Sequence, residues 1–190
     1  MIKIYNAKIT DFTQADYTKM YSLLDCALKG KIDSKKNNDD KMRSLAGLIL
    51  LYRGAYELYE KTDFDITFNK YGKPLCDFCN FSISHSKERV ICAFSDADIG
   101  IDIQKIDDIK PREKYKFFNE KENFYVNQND RFISERYTEI FTKKEAAIKM
   151  LGLSIANASD IDTFSNEYCF KTQEKDGFVF SICEKKLCKL

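Results

Sequence analysis

Two oxygen-bearing side chains stand two positions apart in the segment DIGIDIQ. Because side chains alternate along a β-strand, Asp102 and Gln104 are predicted to share one face with Gly100, while three isoleucines share the buried face. A carboxylate and a carboxamide oxygen suit a hard cation such as Mg²⁺, which takes few protein ligands together with phosphate and water. An aspartate on the polar face of an edge strand is ordinarily just solvated, so the pattern alone leaves both interpretations open.

A carboxylate and an ammonium group are one helical turn apart in FTKKEAAIKMLG. Glu145 and Lys149 are predicted to stand on one face of a helix, beside the small Ala146 and close to a terminating Gly152. Such a pair can serve a site, or it can be an ion pair on a solvated helix, worth only about 0.3 to 0.5 kcal/mol.

A third group of residues is suited to holding an anion. The YGKP turn presents Lys73, and the next predicted strand carries Ser84 and the sole histidine, His85, flanked by Ser82 and Ser86. Further basic charge comes from the central helix and the segment before it, in which acidic residues are also present: Arg43, Lys29, Lys31, Lys35 and Lys36 against Asp33, Asp39 and Asp40. An ordinary surface loop is the competing interpretation.

The chain has seven cysteines, an odd number that favours reduced thiols over a disulfide framework. Cys76 and Cys79 form a CxxC, and Cys183 with Cys188 could supply two more zinc ligands. That second pair has loose spacing and no histidine completes a set, so we do not expect a structural zinc.

The bulk composition excludes several classes of function. With 31 basic and 30 acidic side chains the formal net charge is +1, which argues against a general nucleic-acid binder. There is no apolar run of the roughly 18 residues that a membrane span needs, and the start lacks the apolar core of a signal peptide, so we expect a cytoplasmic protein without a membrane partner.

The periodicity predicts an α+β fold. We expect a first strand, a helix from Tyr17 to Leu28, a loop over residues 29–40 and a strong central helix over 39–60. Four short strands follow, then a hinge-like region over 105–130 that could form an exposed binding loop, a long helix over 130–151 and a C-terminal hairpin. The repeated order of strands and helices hints at two similar halves.

Five segments in order resemble the 4′-phosphopantetheinyl transferase superfamily: RSLAG from Arg43, YGKP from Tyr71, FSISHS from Phe81, IGIDIQ from Ile99 and FTKKEAAIKMLG from Phe141. The resemblance covers roughly residues 40 to 152 and is to the two-halved, monomeric, surfactin-synthetase-activating type. It implies two similar α+β subdomains related by pseudo-twofold symmetry, with coenzyme A between them. We expect an N-terminal subdomain over 1–104, which includes the Asp102 strand, and a C-terminal, carrier-facing subdomain over 105–190.

The resemblance also implies an activity. Enzymes of this family transfer 4′-phosphopantetheine from coenzyme A to a serine of an apo acyl or peptidyl carrier protein and release 3′,5′-ADP. The reaction depends on Mg²⁺, for which Mn²⁺ can substitute. Which carrier and which pathway this chain serves, whether fatty acid, polyketide or nonribosomal peptide, the sequence does not decide.

The family pattern assigns roles to individual residues. It implies that Asp102 and Glu145 are metal ligands, that Lys149 lies beside the pyrophosphate, and that Glu145 takes the proton of the carrier serine. By the same resemblance, Arg43 and His85 hold coenzyme A phosphates. Two further residues match positions that line the nucleotide: Lys73 and Ser84.

Two residues depart from the family pattern. Many relatives carry glutamate where Gln104 stands, so a third acidic ligand is replaced by a carboxamide that coordinates weakly or through water. Phe141 stands where the two-halved type commonly has tryptophan. Glu122 resembles another acidic position near the carrier-facing region. The alternatives are therefore a non-catalytic coenzyme A-binding or carrier-interaction module with a degraded metal site, or an unrelated α+β protein.

Overall fold

The structure is a computed structural model that describes residues 1–106 and 117–185. Cys188, named above with Cys183, lies outside these residues, as does part of the predicted binding loop over 105–130. Within the described residues, none of the helices combines the length and the apolar character needed to cross a membrane.

The elements alternate between helices and short strands, which confirms the α+β prediction. In the first part of the chain they are β1 (Lys3–Lys8), α1 (Gln14–Leu23), α2 (Cys26–Asp33), α3 (Asn38–Tyr59), β2 (Thr67–Phe68), β3 (Pro74–Leu75), β4 (Asn80–Ser86) and β5 (Arg89–Ser95). In the second part they are β6 (Ile99–Lys105), α4 (Glu120–Asn127), α5 (Ile133–Leu151), β7 (Tyr168–Lys175) and β8 (Phe178–Lys185).

The central helix α3 packs on the first antiparallel sheet, whose strand order is β1-β5-β4. Asn37 caps the start of α3, and the helix ends at Glu60, which adopts a left-handed conformation. Its apolar residues are buried on more than one side, as the sequence predicts: Leu45, Ala46, Leu48, Leu50, Leu51 and Ala55. The predicted helix over 39–60 is confirmed to within one residue at each end.

The segment before α3 differs from the prediction. One helix from Tyr17 to Leu28 and a loop over 29–40 were expected, but α1 ends at Leu23 and a second helix, α2, continues to Asp33. Asp25 explains the break, because its side chain accepts the backbone N–H of Leu28 at 2.7 Å and thereby starts a new helix. The polar composition of the loop concealed the buried Ile32.

The long helix α5 packs on the second antiparallel sheet, whose strand order is β6-β8-β7. It ends at Gly152 with φ of 65°. The predicted C-terminal hairpin is confirmed: β7 and β8 are joined by Asp176 and Gly177, both at positive φ, which is the two-residue turn that matches the twist of a hairpin.

Both sheets have the same connectivity. In each, a first strand is followed by a long helix and then by a hairpin whose second strand inserts beside the first strand. The expected boundary between residues 104 and 105 assigns the Asp102 strand to the first half, whereas β6 hydrogen-bonds to β8 and forms the first strand of the second sheet. The boundary itself stays a prediction.

The two sheets meet in an apolar cluster. Ile91 and Ala93 of β5 pack with Phe178 and Ile182 of β8 and with the three isoleucines of β6. The predicted buried face of β6 is thus confirmed, and it lies between the halves. The opposite face of β6, with Asp102, is turned toward α5 and β4.

Candidate active site

The closest approach between a helix and a strand in this region is at Gly100. A Cβ atom there would lie 1.8 Å from the carbonyl oxygen of Ala146 and 2.5 Å from the backbone nitrogen of Met150. Only glycine therefore lets β6 lie against α5 at this distance. The contact sets the position of Asp102, two residues along the strand, relative to Lys149 on the next helical turn.

Asp102 is buried, with 2% of its surface exposed, and its carboxylate is fully engaged. Oδ1 accepts hydrogen bonds from Lys149 Nζ at 2.6 Å and from Ser84 Oγ at 2.7 Å. Oδ2 has the weaker contact, 3.4 Å from Gln104 Nε2. A buried carboxylate needs such partners, because an uncompensated charge away from water is costly. The solvated-aspartate interpretation is thereby excluded.

Three serines of β4 fill the gap between the two sheets. The hydroxyl groups of Ser82, Ser84 and Ser86 accept the backbone N–H groups of Ile101, Ile103 and Lys105, at 3.1, 3.3 and 3.1 Å. These bonds hold the Asp102 strand against the first half in the place of a strand-to-strand ladder. The serine cluster was expected to donate to phosphate oxygens, and its main observed partner is instead the backbone of β6.

Ser84 makes more hydrogen bonds than Ser82 or Ser86. Besides accepting from Ile103, it donates to Asp102 and accepts from Lys149 Nζ at 2.9 Å. A hydroxyl has one donor and two acceptor positions, so these contacts use its full capacity. Its predicted place beside a nucleotide stays a prediction.

A cavity of about 620 Å³ lies between α2, α3, the 72–74 turn, β4, β6 and α5. Its wall is partly apolar, with Leu48, Leu51 and Ile66. Six of the side chains predicted from the sequence meet on this wall, whereas Arg43 and Lys73 do not line it: Ser84, His85, Asp102, Gln104, Glu145 and Lys149. Lys31 and Lys35 complete it from α2 and the residues after it.

A second cavity of about 400 Å³ adjoins the first. It is lined by Lys73, Phe81, Leu153 and other residues near the end of α5. Glu145 and Lys149 line both cavities, and so they stand where the two meet.

The charge around the first cavity is positive. Burial and, to a lesser extent, the neighbouring cations Lys149, Arg43 and Lys35 together lower the pKa of His85 to about 4. The imidazole is consequently neutral near pH 7, and any additional negative charge in the cavity would relieve the repulsion. Arg43 contributes to this field while its guanidinium donates to Lys87 O at 3.2 Å and forms an ion pair with Asp40.

Lys73 lies in a different environment from the one expected. Its Nζ donates to the carbonyl of Met150 at 3.0 Å, and Asn69 Nδ2 donates to the carbonyl of Gly152 at 2.8 Å. The YGKP turn therefore caps the end of α5, and burial of the ammonium lowers the pKa of Lys73. Because Lys73 also lines the second cavity, its predicted contact with the nucleotide stays a prediction.

Glu122 belongs to the core. It is fully buried, and Oε2 forms an ion pair with Lys144 Nζ at 2.8 Å. Oε1 accepts both the N–H and the hydroxyl of Thr163 at 2.9 Å. Glu122 therefore fastens α4 to α5 and to the following loop, and its resemblance to an acidic position near the carrier-facing region stays a prediction.

The residues on the first cavity fit a divalent cation in part. Within residues 1–106 and 117–185 there is no group of three histidine, cysteine or acidic side chains that could hold a metal alone. Mg²⁺, however, is commonly bound by one or two carboxylates and completed by substrate phosphate and water. Asp102 and Glu145, with the carboxamide of Gln104, match that smaller ligand set.

The sequence reasoning missed one contributor to the cavity. Helix α2 supplies Leu28 and Ile32 to its wall, whereas the expected helix ended at Leu28 and a polar loop was expected over residues 29–40. The cap at Asp25 and the four-residue spacing of these two apolar residues are the signals that could have revealed it.

Comparison with known proteins agrees with the family suggested by the sequence. The model of the 4′-phosphopantetheinyl transferase superfamily, ACPS, matches residues 98–183. The 4′-phosphopantetheinyl transferase gsp of Aneurinibacillus migulanus is 38% identical over 122 residues, 61% of this chain and 51% of that protein. The match thus spans about half the length of gsp.

Two further relatives are covered more fully. The 4′-phosphopantetheinyl transferase Sfp of Bacillus subtilis (strain 168) is 30% identical over 172 residues, 86% of this chain and 75% of that protein. The 4′-phosphopantetheinyl transferase ffp of Bacillus subtilis is 28% identical over 207 residues, 96% of this chain and 92% of that protein.

Proposed function

The chain belongs to the 4′-phosphopantetheinyl transferase superfamily, and on this premise we propose that it transfers 4′-phosphopantetheine from coenzyme A to a serine of an apo acyl or peptidyl carrier protein. The observation that carries the proposal is that Asp102, Glu145 and Lys149 line one cavity. Two anionic groups and one cation at its wall suit the transfer of a charged phosphoryl group.

In the proposed reaction the carrier serine attacks the β-phosphorus of coenzyme A. A bond forms between the serine oxygen and this phosphorus, the bond to the bridging oxygen breaks, and 3′,5′-ADP leaves with the electron pair. Glu145 accepts the serine proton, directly or through a water, since it stands where the two cavities meet. Lys149 offsets negative charge on the diphosphate from the adjoining helical turn.

Asp102 and Glu145 would hold the divalent cation, Mg²⁺ or Mn²⁺, with Gln104 as a weak ligand or a partner through water. When bound, such a cation supplies charge neutralisation at the diphosphate. Asp102 Oδ2 is the proposed ligand atom, because its contact with Gln104 at 3.4 Å is weak, whereas Oδ1 already accepts from Lys149 and Ser84. The ion pair with Lys149 holds the Asp102 carboxylate at the cavity wall.

The nucleotide end of coenzyme A is proposed to lie in the first cavity. Its phosphates would be held by Arg43, His85, Lys31 and Lys35. Lys31 and Lys35 line the cavity, and the charges of Arg43 and Lys35 already lower the pKa of His85. Lys73 and Ser84 complete the proposed set of nucleotide-lining residues. We further propose that the protein works as a cytoplasmic monomer, without a nucleic-acid or membrane partner.

A non-catalytic module that binds coenzyme A is the second candidate, and Gln104 is the observation that favours it. A neutral side chain at this position removes one acidic ligand of the family pattern, and loss of an acidic ligand weakens metal binding.

One experiment separates the two candidates. The protein is incubated with coenzyme A, Mg²⁺ and a panel of apo carrier proteins, and the carriers are weighed by mass spectrometry. We expect one phosphopantetheine on at least one carrier, and loss of the product with EDTA. Unchanged masses across the panel, together with calorimetric binding of coenzyme A that Mg²⁺ does not strengthen, would establish the binding module instead.

A further inference from the structure

The CxxC segment has no part in the proposed transfer, yet the structure brings its two thiols together. Cys76 and Cys79 lie on the connection between β3 and β4, and their Sγ atoms are 3.4 Å apart. Both side chains are half-buried, so neither is sealed from solvent. Sulfurs at this distance need to approach by about 1.4 Å to reach the disulfide bond length of about 2.0 Å.

The connection is anchored by Phe78, one of the two residues between the cysteines. The ring of Phe78 makes edge contacts with Tyr59 at 5.4 Å and with Phe64 at 5.0 Å, measured between ring centroids. These contacts fix the connection, and with it the two thiols, on the core. The two thiols are held in contact before any reaction occurs.

We propose that Cys76 and Cys79 are a redox pair that forms a reversible intramolecular disulfide by exchange with a low-molecular-weight disulfide. The Cys76 thiolate attacks one sulfur of that disulfide, forms a mixed disulfide and releases one thiolate. Cys79 then loses its proton to solvent and attacks Cys76, and the second thiolate leaves. The protein dithiol is oxidised by two electrons, and the small disulfide is reduced to two thiols.

The two thiols differ in the way that this order of attack requires. The adjacent Cys79 thiol and backbone hydrogen bonds lower the pKa of Cys76 to about 6, so that its thiolate is abundant near pH 7. The pKa of Cys79 is raised by its neighbour Cys76 and by burial. Cys92, on β5, is fully buried and its pKa is raised by burial, which makes it an inert third thiol.

The position of Cys76 and Cys79 in the fold determines what a disulfide between them would constrain. The connection joins the turn that supplies Gly72 and Pro74 to the cavity wall with the strand that supplies Ser84 and His85. A covalent bond between Cys76 and Cys79 would therefore fix the chain between two segments that line the same cavity.

The test uses the full chain in glutathione buffers of increasing oxidised fraction, followed by acid quenching, alkylation and trypsin digestion. Since trypsin does not cleave between Lys73 and Pro74, residues 71–87 form one peptide that carries both cysteines and no third one. In oxidising buffer we expect this peptide to carry no alkyl group and to be two hydrogens lighter than the dithiol, and after reduction we expect it to carry two alkyl groups again.

Two single variants test the order of attack. Cys79→Ser should accumulate one glutathionyl group on Cys76, because the resolving thiol is gone. Cys76→Ser should react about tenfold more slowly at pH 7, since burial still raises the pKa of Cys79 and lowers its thiolate fraction after Cys76 is removed. The exposed Cys26 serves as the internal reference for ordinary reactivity.

Three results would overturn the proposal. The first is a peptide 71–87 that stays a dithiol under conditions in which Cys26 is already glutathionylated. The second is equal reactivity of the two single variants. The third is protection of both thiols by a metal ion that a chelator removes, which would make the pair a metal ligand.

Discussion

Lys149 Nζ lies 2.6 Å from Oδ1 of Asp102, and this contact joins the long helix α5 to β6, the edge strand of the second sheet. The carboxylate is almost fully buried, while the ammonium is partly exposed toward the cavity. The pair therefore has two tasks that can be measured separately: it neutralises a buried charge, and it places a cation at the cavity.

Removing the cation should destabilise the fold. Lys149→Met leaves Asp102 buried without its main partner, and we expect a loss of about 2 kcal/mol in the free energy of unfolding, discounted for the partial exposure of Lys149. The double variant Asp102→Asn, Lys149→Met should recover part of this loss. Denaturant unfolding of the two single variants and the double variant gives the coupling energy, and a coupling near zero would contradict the role of the pair.

Gly100 should not tolerate even one methyl group. In Gly100→Ala the new Cβ meets the Ala146 carbonyl, and because the obstacle is backbone we expect α5 to shift, at a cost of about 3 kcal/mol or more. Gly30→Ala is the matched control: nothing lies within 4 Å of a Cβ there, and in helix α2 it should stabilise by about 0.5 to 1 kcal/mol. Thermal unfolding compares the two, and equal stability of the variants would refute the close packing of β6 on α5.

His85 should make the protein sensitive to mild acid. Its pKa is about 4 in the folded protein and 6.5 in the ordinary state, so the unfolded chain binds more protons between these values. Stability contributed by the neutral imidazole is complete above about pH 6.5 and is lost as the pH falls toward 4, by up to about 3 kcal/mol. His85→Asn removes this proton uptake.

Urea unfolding of both proteins at a series of pH values between 4 and 7 measures the difference. The slope of unfolding free energy against pH should be steeper in the native sequence than in the variant. A coenzyme A analogue in the cavity should raise the pKa of His85 toward its ordinary value and thereby reduce the loss of stability in acid. Identical slopes would show that His85 is not held neutral.

Gln104→Glu should lower the stability of the metal-free protein and raise its affinity for Mg²⁺. The substitution replaces the 3.4 Å contact of the amide with Asp102 by repulsion between two carboxylates, so the melting temperature without metal should fall. A third acidic ligand should at the same time tighten Mg²⁺ binding by about tenfold. Melting curves with and without Mg²⁺, and activity against Mg²⁺ concentration, measure both effects; a variant that Mg²⁺ stabilises no more than the native protein would place Gln104 outside the metal site.

Loss of charge should lower turnover at Glu145 and stability at Glu122. Glu145→Gln should lower turnover by about 10² to 10⁴-fold through loss of the base, with a change in unfolding free energy within about 1 kcal/mol. Glu122→Gln should cost about 3 to 5 kcal/mol, because Lys144 is left as a buried charge without its counterion. The folded fraction of Glu122→Gln should keep the native KM for coenzyme A.

These outcomes are read from turnover per folded molecule and from denaturant unfolding of both variants. Full turnover in Glu145→Gln would remove that residue from the mechanism. A catalytic defect in Glu122→Gln without a loss of stability would restore Glu122 to the site.

The sequence was most informative where local chemistry decides the conformation. The alternation of apolar and polar residues located β6, and the spacing of Glu145 and Lys149 located their shared helix face. The hairpin at Asp176 and Gly177 followed from turn chemistry alone. These elements depend on neighbours in the chain, and for this reason one sequence was enough.

The contacts between the halves could not be foreseen in the same way. Nothing in the local pattern of SISHS says that its serines accept the N–H groups of a strand 19 residues later, or that Lys73 caps a helix 77 residues away. Glu122 and Glu145 are both acidic residues near helix sequences, and only tertiary packing separates the buried ion pair from the residue at the cavity. The helix α2 was missed because polar residues outnumber its two buried ones.

The row of serines on β4 also determines how the molecule can be divided. A strand whose outer N–H groups are unpaired is an exposed sheet edge that can pair with strands of other molecules. Ser82, Ser84 and Ser86 cover that edge of β6 with side chains of the other half. A fragment containing the second sheet alone would expose this edge of β6 and tend to self-associate. The first half therefore protects the second half from aggregation.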